Sequence, residues 1–548
     1  MTPPGDGGTT AGAKPPAPDS AAVSTWQPLR LRVFRTLWIA QFVSNVGGWM
    51  QTVGAQWLIT QESGSAGLIA LVQTAASLPV LLLGIPAGAL ADIVDRRKLL
   101  LAAQALMFTA AGLLAVLTAL GRMDSYGVLA LTFVLGCGTA LMNPAWQAIQ
   151  PELVPREQIP SAAALGGVNM NLARAIGPAL GGLVVTLAGT ATVFAVNAVS
   201  FLVTLGALAT WHRRAEPDPM GAERILPALR AGNRYVRNAP RVRRVLGRSL
   251  LFVPCAAALW ALLPVVARQR LGMGAGGYGL LLGAVGVGAV LGAALLPQVR
   301  RRWSSNAALT TGGLLFAVTL ALLAVVRVSW VVGPVLVFSG VAWVGVLSML
   351  NAQMQVTTPG WVRARALAFY LTIFQGGMAI GAAVWGKAAD GVGLVPTLLI
   401  AAVVLAAASL AGLFLAVPDS PLDRSVSMHW AAPTMMLEPA EDDEQVLVTI
   451  EYVVPAHNAD LFIESMRAMG RSRLRTGAVS WDLYRDGTDP DTYLEVFLVA
   501  SWKEHLRQHS GRLTGFDRQT EERARSLVDP DHPFKVTHYL PARKSPPA

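Results

Sequence analysis

Apolar residues fill 33–417 in twelve long runs, at roughly 33–58, 67–91, 99–120, 127–149, 162–186, 190–210, 249–267, 277–298, 307–326, 331–350, 366–389 and 394–417. A helix rises about 1.5 Å per residue, so about 20 apolar residues cross a hydrocarbon core of about 30 Å. Twelve such runs in series, separated by short charged loops, predict an all-α polytopic membrane protein with 12 transmembrane helices. After residue 445 the pattern changes. There the chain reads as strand 446–454, helix 456–473, strand 478–486, strand 491–500, short helices 502–528 and strand 534–540. Partial alternation in the first strand and a turn signal at Asp486-Gly487 support this reading. The order β-α-β-β-α-β predicts a C-terminal α+β ferredoxin-like domain.

The spans divide six and six about a basic loop, 211–248. The halves repeat: Gly88, Ala89, Arg96 and Arg97 fall on Gly292, Ala293, Arg300 and Arg301, and Asn143, Gln147 and Pro151 on Asn351, Gln355 and Pro359. Repeated halves around a midplane site are the construction of many secondary transporters. The chain therefore parses as a disordered tail 1–27, a first half 28–210, the basic loop 211–248, a second half 249–417, a Pro-rich and acidic linker 418–445, and a soluble domain 446–540. No cleavable signal peptide is expected, because the first apolar run is of full spanning length.

Composition adds orientation. The net charge of +11 could suggest a nucleic-acid partner, but charged residues are only 14% of the chain and the arginines lie on one side of the membrane. Loops after even-numbered spans hold Arg96, Arg97, Lys98, Arg156, ten arginines from Arg213 to Arg248, Arg300–Arg302, Arg363 and Arg365. The alternate loops hold Arg122, Arg268, Arg270 and Arg327. Positive residues stay cytoplasmic, so both termini are expected inside and no nucleic acid is expected as partner. Cys137 and Cys255 lie within spans and read as apolar filler, not a disulfide framework.

Polar residues inside the membrane mark candidate sites. On span 1, Gln41, Asn45, Gly48, Thr52 and Gln56 share one helix face and would either line a cavity or bind a neighbouring helix. Asn143, Gln147, Asn351 and Gln355 sit near the cytoplasmic ends of spans 4 and 10, which suits a gate. Trp49, Trp57, Trp260, Trp343, Phe374 and Met378 could face an apolar cargo, although each alone reads more simply as packing. No Asp or Glu lies near the middle of a span; Asp92 and Asp390 stand at span ends and are the candidates for proton coupling. No Gly-x-x-x-x-Gly-Lys-Ser/Thr loop occurs, which argues against an ATP-driven pump.

After span 2 the chain reads Gly88-Ala-Leu-Ala-Asp92-Ile-Val-Asp95-Arg96-Arg97. This resembles the signature of the major facilitator superfamily, with Ile93 and Asp95 departing from its usual form. The resemblance implies a cytoplasmic gate built from Gly88, Asp92, Asp95, Arg96 and Arg97; a topology-setting charge cluster is the plainer reading. Span 5 contains Arg174-Ala-Ile-Gly177-Pro178-Ala-Leu-Gly181-Gly182, which resembles the antiporter motif of superfamily exporters and implies export. Ordinary small-residue packing is the alternative. Asn143-Pro144-Ala145, Pro151-Glu-Leu-Val-Pro155 and Gly381-x-x-x-Trp385-Gly386-x-x-x-Asp390 resemble the enterobactin-exporter-like (transmembrane secretion effector) branch. The resemblance implies alternating-access export of a small amphipathic compound, of drug or siderophore class, driven by the proton motive force across a bacterial cytoplasmic membrane. Uptake remains the alternative.

The tail is similar to antibiotic-biosynthesis-monooxygenase-like domains through Trp481-Asp-Leu-Tyr-Arg485-Asp and Ser501-Trp502-x-x-His505-x-x-x-His509. That similarity implies pairing of two copies, and leaves open a cofactorless oxygenase acting on the cargo. His505 and His509, four apart, share a helix face, yet no third ligand stands at a diagnostic spacing. The sequence therefore names no catalytic residue, no cofactor and no metal site. The expected partners are a small-molecule substrate and the lipid bilayer.

Overall fold

The computed structural model describes residues 26–211, 225–419, 423, 425–427, 429–430 and 445–541. The stretch 1–27 read as disordered lies almost wholly outside them, as does most of 418–445. Twelve helices dominate the described residues from 32 to 411: α1 (Arg32–Glu62), α2 (Ala66–Ile93), α3 (Arg96–Ala119), α4 (Ser125–Ile149), α5 (Ile159–Thr210), α6 (Ile225–Asn238), α7 (Pro240–Val265), α8 (Ala275–Arg302), α9 (Ser305–Val325), α10 (Ser329–Thr357), α11 (Gly360–Val392) and α12 (Leu394–Ala411). Among the described residues ten helices are long and apolar enough to cross a membrane. Two facts bring the spans to twelve. The 52 residues of α5 cross twice, broken at Gly189, whose φ of 81° lies in the left-handed region open to glycine. The polar face of α1 lowers its hydropathy, although its 31 residues are ample to span.

Residues 225–248, read as loop, are almost entirely helical. Pro240 starts α7 with its φ pre-set, where a missing N–H costs nothing. The helix therefore runs past the apolar zone through Arg241, Arg243 and Arg244. Arg248 donates to the carbonyls of Leu415 (3.1 Å) and Gly412 (2.6 Å), a cation at the carboxyl end of α12.

Within a bilayer, helices associate by close packing rather than by the hydrophobic effect, so small residues mark the contacts. The two halves meet along two seams, α5 on α8 and α2 on α11. At the first, a Cβ on Gly182 would stand 2.9 Å from Cα of Gly279. At the second, a Cβ on Gly386 would stand 3.1 Å from Cα of Gly67. The seams are counterparts under the internal repeat, since spans 5 and 11 correspond, as do spans 2 and 8.

The tail forms a four-stranded antiparallel sheet of β1 (Val446–Val453), β2 (Ala478–Arg485), β3 (Thr492–Val499) and β4 (Lys535–Tyr539), in the order β2-β3-β1-β4. The ferredoxin-like reading holds. Strict alternation of burial along β3 turns Tyr493, Glu495, Phe497 and Val499 toward the helices. Those helices are α13 (Ala459–Thr476), α14 (Trp502–Arg507) and α15 (Gly515–Arg525). The β2–β3 connection is longer than a two-residue hairpin. Asp486 accepts from the N–H of Thr488 (2.7 Å) and its hydroxyl (2.7 Å), a side chain closing the turn.

Part of the stretch read as linker belongs to the tail. Ser427 N–H donates to Leu513 O (3.0 Å), Gly515 N–H to Ser425 O (2.9 Å) and Phe516 N–H to Asp423 O (2.9 Å). These residues form a strap across the start of α15. The tail meets the membrane helices through α6. Arg234 of α6 pairs with Glu504 of α14 at 3.5 Å, and Arg512 lies over the Trp361 ring of α11 at 4.7 Å.

Candidate functional site

The hydrogen bonds between the halves cluster toward one end, the face opposite the start of α1 and the end of α12. There Gln56 donates to Trp260 O (3.2 Å) and accepts from the hydroxyl of Tyr278. Trp57 stacks on the same tyrosine with ring centroids 6.4 Å apart. Asp390, at the end of α11, accepts from the Ser65 hydroxyl (2.9 Å) and the Gly67 N–H (3.0 Å). Its carboxylate thus sits on the N-terminus of α2, where backbone N–H groups and the helix dipole favour negative charge. Deeper in, the Thr74 hydroxyl donates to Ala379 O (2.8 Å).

At the opposite, terminal face, Arg96, Arg97 and Arg300 bond within their own halves. Arg96 pairs with Glu152 (2.6 Å) and reaches Ala148 O (3.4 Å), while its repeat counterpart Arg300 donates to Ser348 O (3.2 Å). Each thus holds the fourth span of its half. Arg97 donates to Leu208 O (3.0 Å) and Ala209 O (2.8 Å), at the end of α5. Asp95 is the N-cap of α3, accepting from Lys98 N–H at 3.0 Å. At Gly88 and Gly84 the helix surface is open: a Cβ on either would meet nothing within 4 Å. The side chain of Asp92 lies outside the described residues. Asn143 and Gln147 are exposed on α4, and Gln355 donates to Asn351 (2.7 Å) on the matching face of α10.

The span-1 stripe divides. Asn45 receives the Gln41 amide (3.0 Å) and donates to Asn169 of α5 (2.9 Å), which in turn donates to Trp38 O (2.9 Å). Thr52 returns its hydroxyl to Gly48 O (3.1 Å). Gln56 is 1% exposed and belongs to the seam rather than to a cavity wall. Asn45 and Gln56 thus bond to other helices, whereas Gln41 and Thr52 bond within α1, and Oε1 of Gln41 is buried without a hydrogen-bond partner.

Span 5 performs two packing tasks. Cβ atoms on Gly177 and Gly181 would stand 2.6 Å from Trp49 Cβ and 2.9 Å from Met50 Cα, so both seat α1, whereas Gly182 seats α8. Pro178 is buried between them. Arg174, midway along the span, lies with its Cζ 5.4 Å from the Trp49 ring, and its Nε is buried without a hydrogen-bond partner. An incompletely bonded guanidinium at this depth is costly. Trp49 leads into an aromatic run across both halves: Trp260 at 6.1 Å, Trp343 at 5.4 Å from Trp260, and Phe374 at 6.1 Å from Trp343. Trp260, Trp343 and Met378 are buried packing, while Trp49 and Phe374 are half-buried at the ends of the run.

The interior of the tail is ionic. Arg473 donates to Glu495 (3.0 Å) and Glu521 (3.4 Å). Tyr452 (2.9 Å) and Trp481 (2.9 Å) also donate to Glu495, and Trp430 of the strap donates to Glu521 (2.9 Å) while stacking under Arg473 at 4.5 Å. Burial alone would raise the Glu521 carboxyl. Arg473, the His429 hydrogen bond and Arg525 outweigh it and bring the pKa to about 2. Trp481 thus has a structural partner, and the sequence offered no sign of Arg473, Glu495 or Glu521 acting together.

The model of the transmembrane secretion effector family matches residues 23–546, tail included. The multidrug efflux pump Tap of Mycobacterium tuberculosis is 28% identical over 389 residues, 68% of this chain and 89% of that protein. The staphyloferrin A transporter of Staphylococcus aureus is 25% identical over 261 residues, 47% of this chain and 66% of that one. Macrolide efflux protein A of Streptococcus pyogenes is 26% identical over 175 residues, 32% of this chain and 42% of that one. Among solved structures, the nucleoside transporter NupG superposes with a TM-score of 0.58 at 13% identity, covering 70% of this chain and 100% of that one. An inward-facing bacterial homologue of the lysosomal transporter Spinster superposes with 0.58 at 15% identity, covering 71% and 97%. These structures speak to the fold alone. Two six-helix halves, two glycine seams and a family match over nearly the whole length lead to one conclusion: the chain belongs to the transmembrane secretion effector family of major facilitator proteins.

Proposed function

We propose that this chain exports a small amphipathic organic compound, of hydrophobic-drug or siderophore class, across the bacterial cytoplasmic membrane, with both termini in the cytoplasm and the proton motive force as driver. The carrying observation is the asymmetry of the seams: the halves are bonded at the far face, while at the terminal face Arg96, Arg97 and Arg300 bond within their own halves. That arrangement fits an inward-open state of an alternating-access cycle. The Asp390 latch and the Gln56–Tyr278 contact would break as the far face opens. Gly88, Asp92, Asp95, Arg96 and Arg97 would then close against the second half. Arg174 and Trp49 would receive an anionic group and an apolar body of the cargo. Efflux pumps and a siderophore transporter among the relatives support the substrate class.

The test is accumulation of fluorescent hydrophobic compounds and labelled siderophores in cells with and without the chain, repeated with a protonophore. Lower accumulation that the protonophore reverses supports the reading; higher accumulation with the chain establishes uptake instead. In this reading the tail is a non-catalytic module that steadies α6, and it pairs with a second copy through the open sheet face carrying Leu447, Leu494, Val496 and Leu498. Oxygen consumption by the full chain with a quinol would make the tail an enzyme. A monomer in detergent would remove the pairing.

A further inference from the structure

Three imidazoles converge inside the tail. His505 comes from α14, His509 from the wider turn that follows it, and His538 from β4. Nε2 of His505 lies 3.0 Å from Nε2 of His538 and 3.2 Å from Nε2 of His509. One ligand atom from each ring falls within 4.8 Å of the others. His505 is 1% exposed, and the other two are half-buried, so the cluster is reached from their side. The Trp502 ring packs against His505 (5.5 Å) and the Trp430 ring against His509 (4.9 Å).

The protonation of the central ring follows from its surroundings. The Thr476 hydroxyl donates to Ser472 O (2.9 Å), so toward the Gln508 amide (3.2 Å) it can only accept. That turns the Gln508 carbonyl oxygen to Nδ1 of His505 (3.1 Å), which must carry the proton. Nε2 of His505 is left with one in-plane lone pair, aimed at the other two rings. One lone pair cannot align with two N–H donors. Three imidazole nitrogens facing one point suit a bound cation, which takes a lone pair from each. A tetrahedral ion with metal–nitrogen bonds of about 2.0–2.1 Å sets its nitrogens about 3.3–3.4 Å apart, close to the two short separations here. A ligating histidine whose other N–H donates to a fixed carbonyl is the usual supporting arrangement.

We propose that His505, His509 and His538 form a site for a divalent transition-metal ion of zinc type, held by three imidazoles with a fourth position open. The inference is independent of the direction and cargo of transport. It has a mechanical corollary, because α14 also carries Glu504, which is clasped by Arg512 (2.9 Å) and pairs with Arg234 of α6. An ion on His505 would stiffen the helix that joins the tail to the membrane helices.

The test uses the full chain in detergent, purified on a tag without histidine, stripped with chelator and titrated with Zn2+ against a chromophoric competitor. Stoichiometric binding is expected, with visible ligand-field bands of a four-coordinate ion when Co2+ replaces Zn2+. His538→Ala and His509→Ala should abolish both signals. Gln508→Leu should weaken affinity about 10- to 100-fold, the effect usual for a supporting hydrogen bond. His457→Ala and His532→Ala, both at exposed positions, should change neither. The proposal is overturned if the folded wild-type chain binds neither ion. It is equally overturned if His538→Ala retains full affinity, or if His532→Ala loses as much as His538→Ala.

Discussion

The seams between the halves and the interior of the tail solve opposite problems. In the seams the solvent is lipid, apolar burial gains nothing, and the backbones themselves approach at Gly182–Gly279 and Gly67–Gly386. Polar contacts there are few and sit toward one end. The tail folds in water, yet its centre holds Arg473, Glu495 and Glu521 at 1%, 0% and 2% exposure. Such a cluster is tolerable only when every charge is answered, because desolvation rivals the attraction. Membrane contacts made by shape can part and re-form during a cycle. A buried ionic set cannot open without exposing unpaired charge, so the tail should stay rigid while the halves rock.

The strongest test of this contrast is at the first seam. Gly182→Leu would drive a side chain into the α8 backbone, and export should fall to background in the accumulation assay. Gly206→Leu, where a Cβ meets nothing, should leave export unchanged. Next comes Arg473→Met. It leaves two buried carboxylates facing each other and should cost the tail about 3–5 kcal/mol, read as faster hydrogen exchange at the β1 and β3 amides with the membrane helices unaffected. Asp390→Asn removes a charge-assisted pair of hydrogen bonds, about 1.5–3 kcal/mol, from the latched end. A cysteine at position 84 in a cysteine-free background should then be labelled more slowly from the terminal face. The smallest effect is on pH. The folded Glu521 pKa, about 2, lies below its ordinary 4.5, so its stabilisation is complete above pH 4.5 and lost as pH falls toward 2. Protection factors of the tail amides should fall as pH drops below about 4.5, and Glu521→Gln should reduce that fall.

Much of the fold was legible because its signals are local. Apolar length predicts the spans, and the β-α-β-β-α-β order of elements predicts the ferredoxin-like tail. The helix over 225–238 was hidden in a basic stretch whose charges look like a loop. The sites were legible only where partners are neighbours in sequence. His505 and His509 share a face by spacing, but β4 delivers His538 from 33 residues beyond His505. Gln56 looks like a cavity residue until Tyr278, 222 residues away, is seen to donate to it. The span-1 amides were ambiguous for the same reason: whether an amide in a membrane is glue or binding site depends on what faces it.

The strap has a consequence for how the molecule can be divided. Asp419 holds the amino end of α9, accepting from Ser305 N–H at 3.2 Å, and the Asp423 carbonyl is already bonded to α15. Four residues of chain reach at most about 14 Å, so the tail is on a short leash to the end of α12. Trp430 and His429 arrive on that leash and finish the tail's interior from outside its own sheet and helices. A fragment cut at the first strand would therefore emerge with its ionic centre uncovered, and a graft of this domain onto another carrier must bring the strap with it. The address of the tail, beside the mouth of the membrane helices, is written into the same few residues that complete its core.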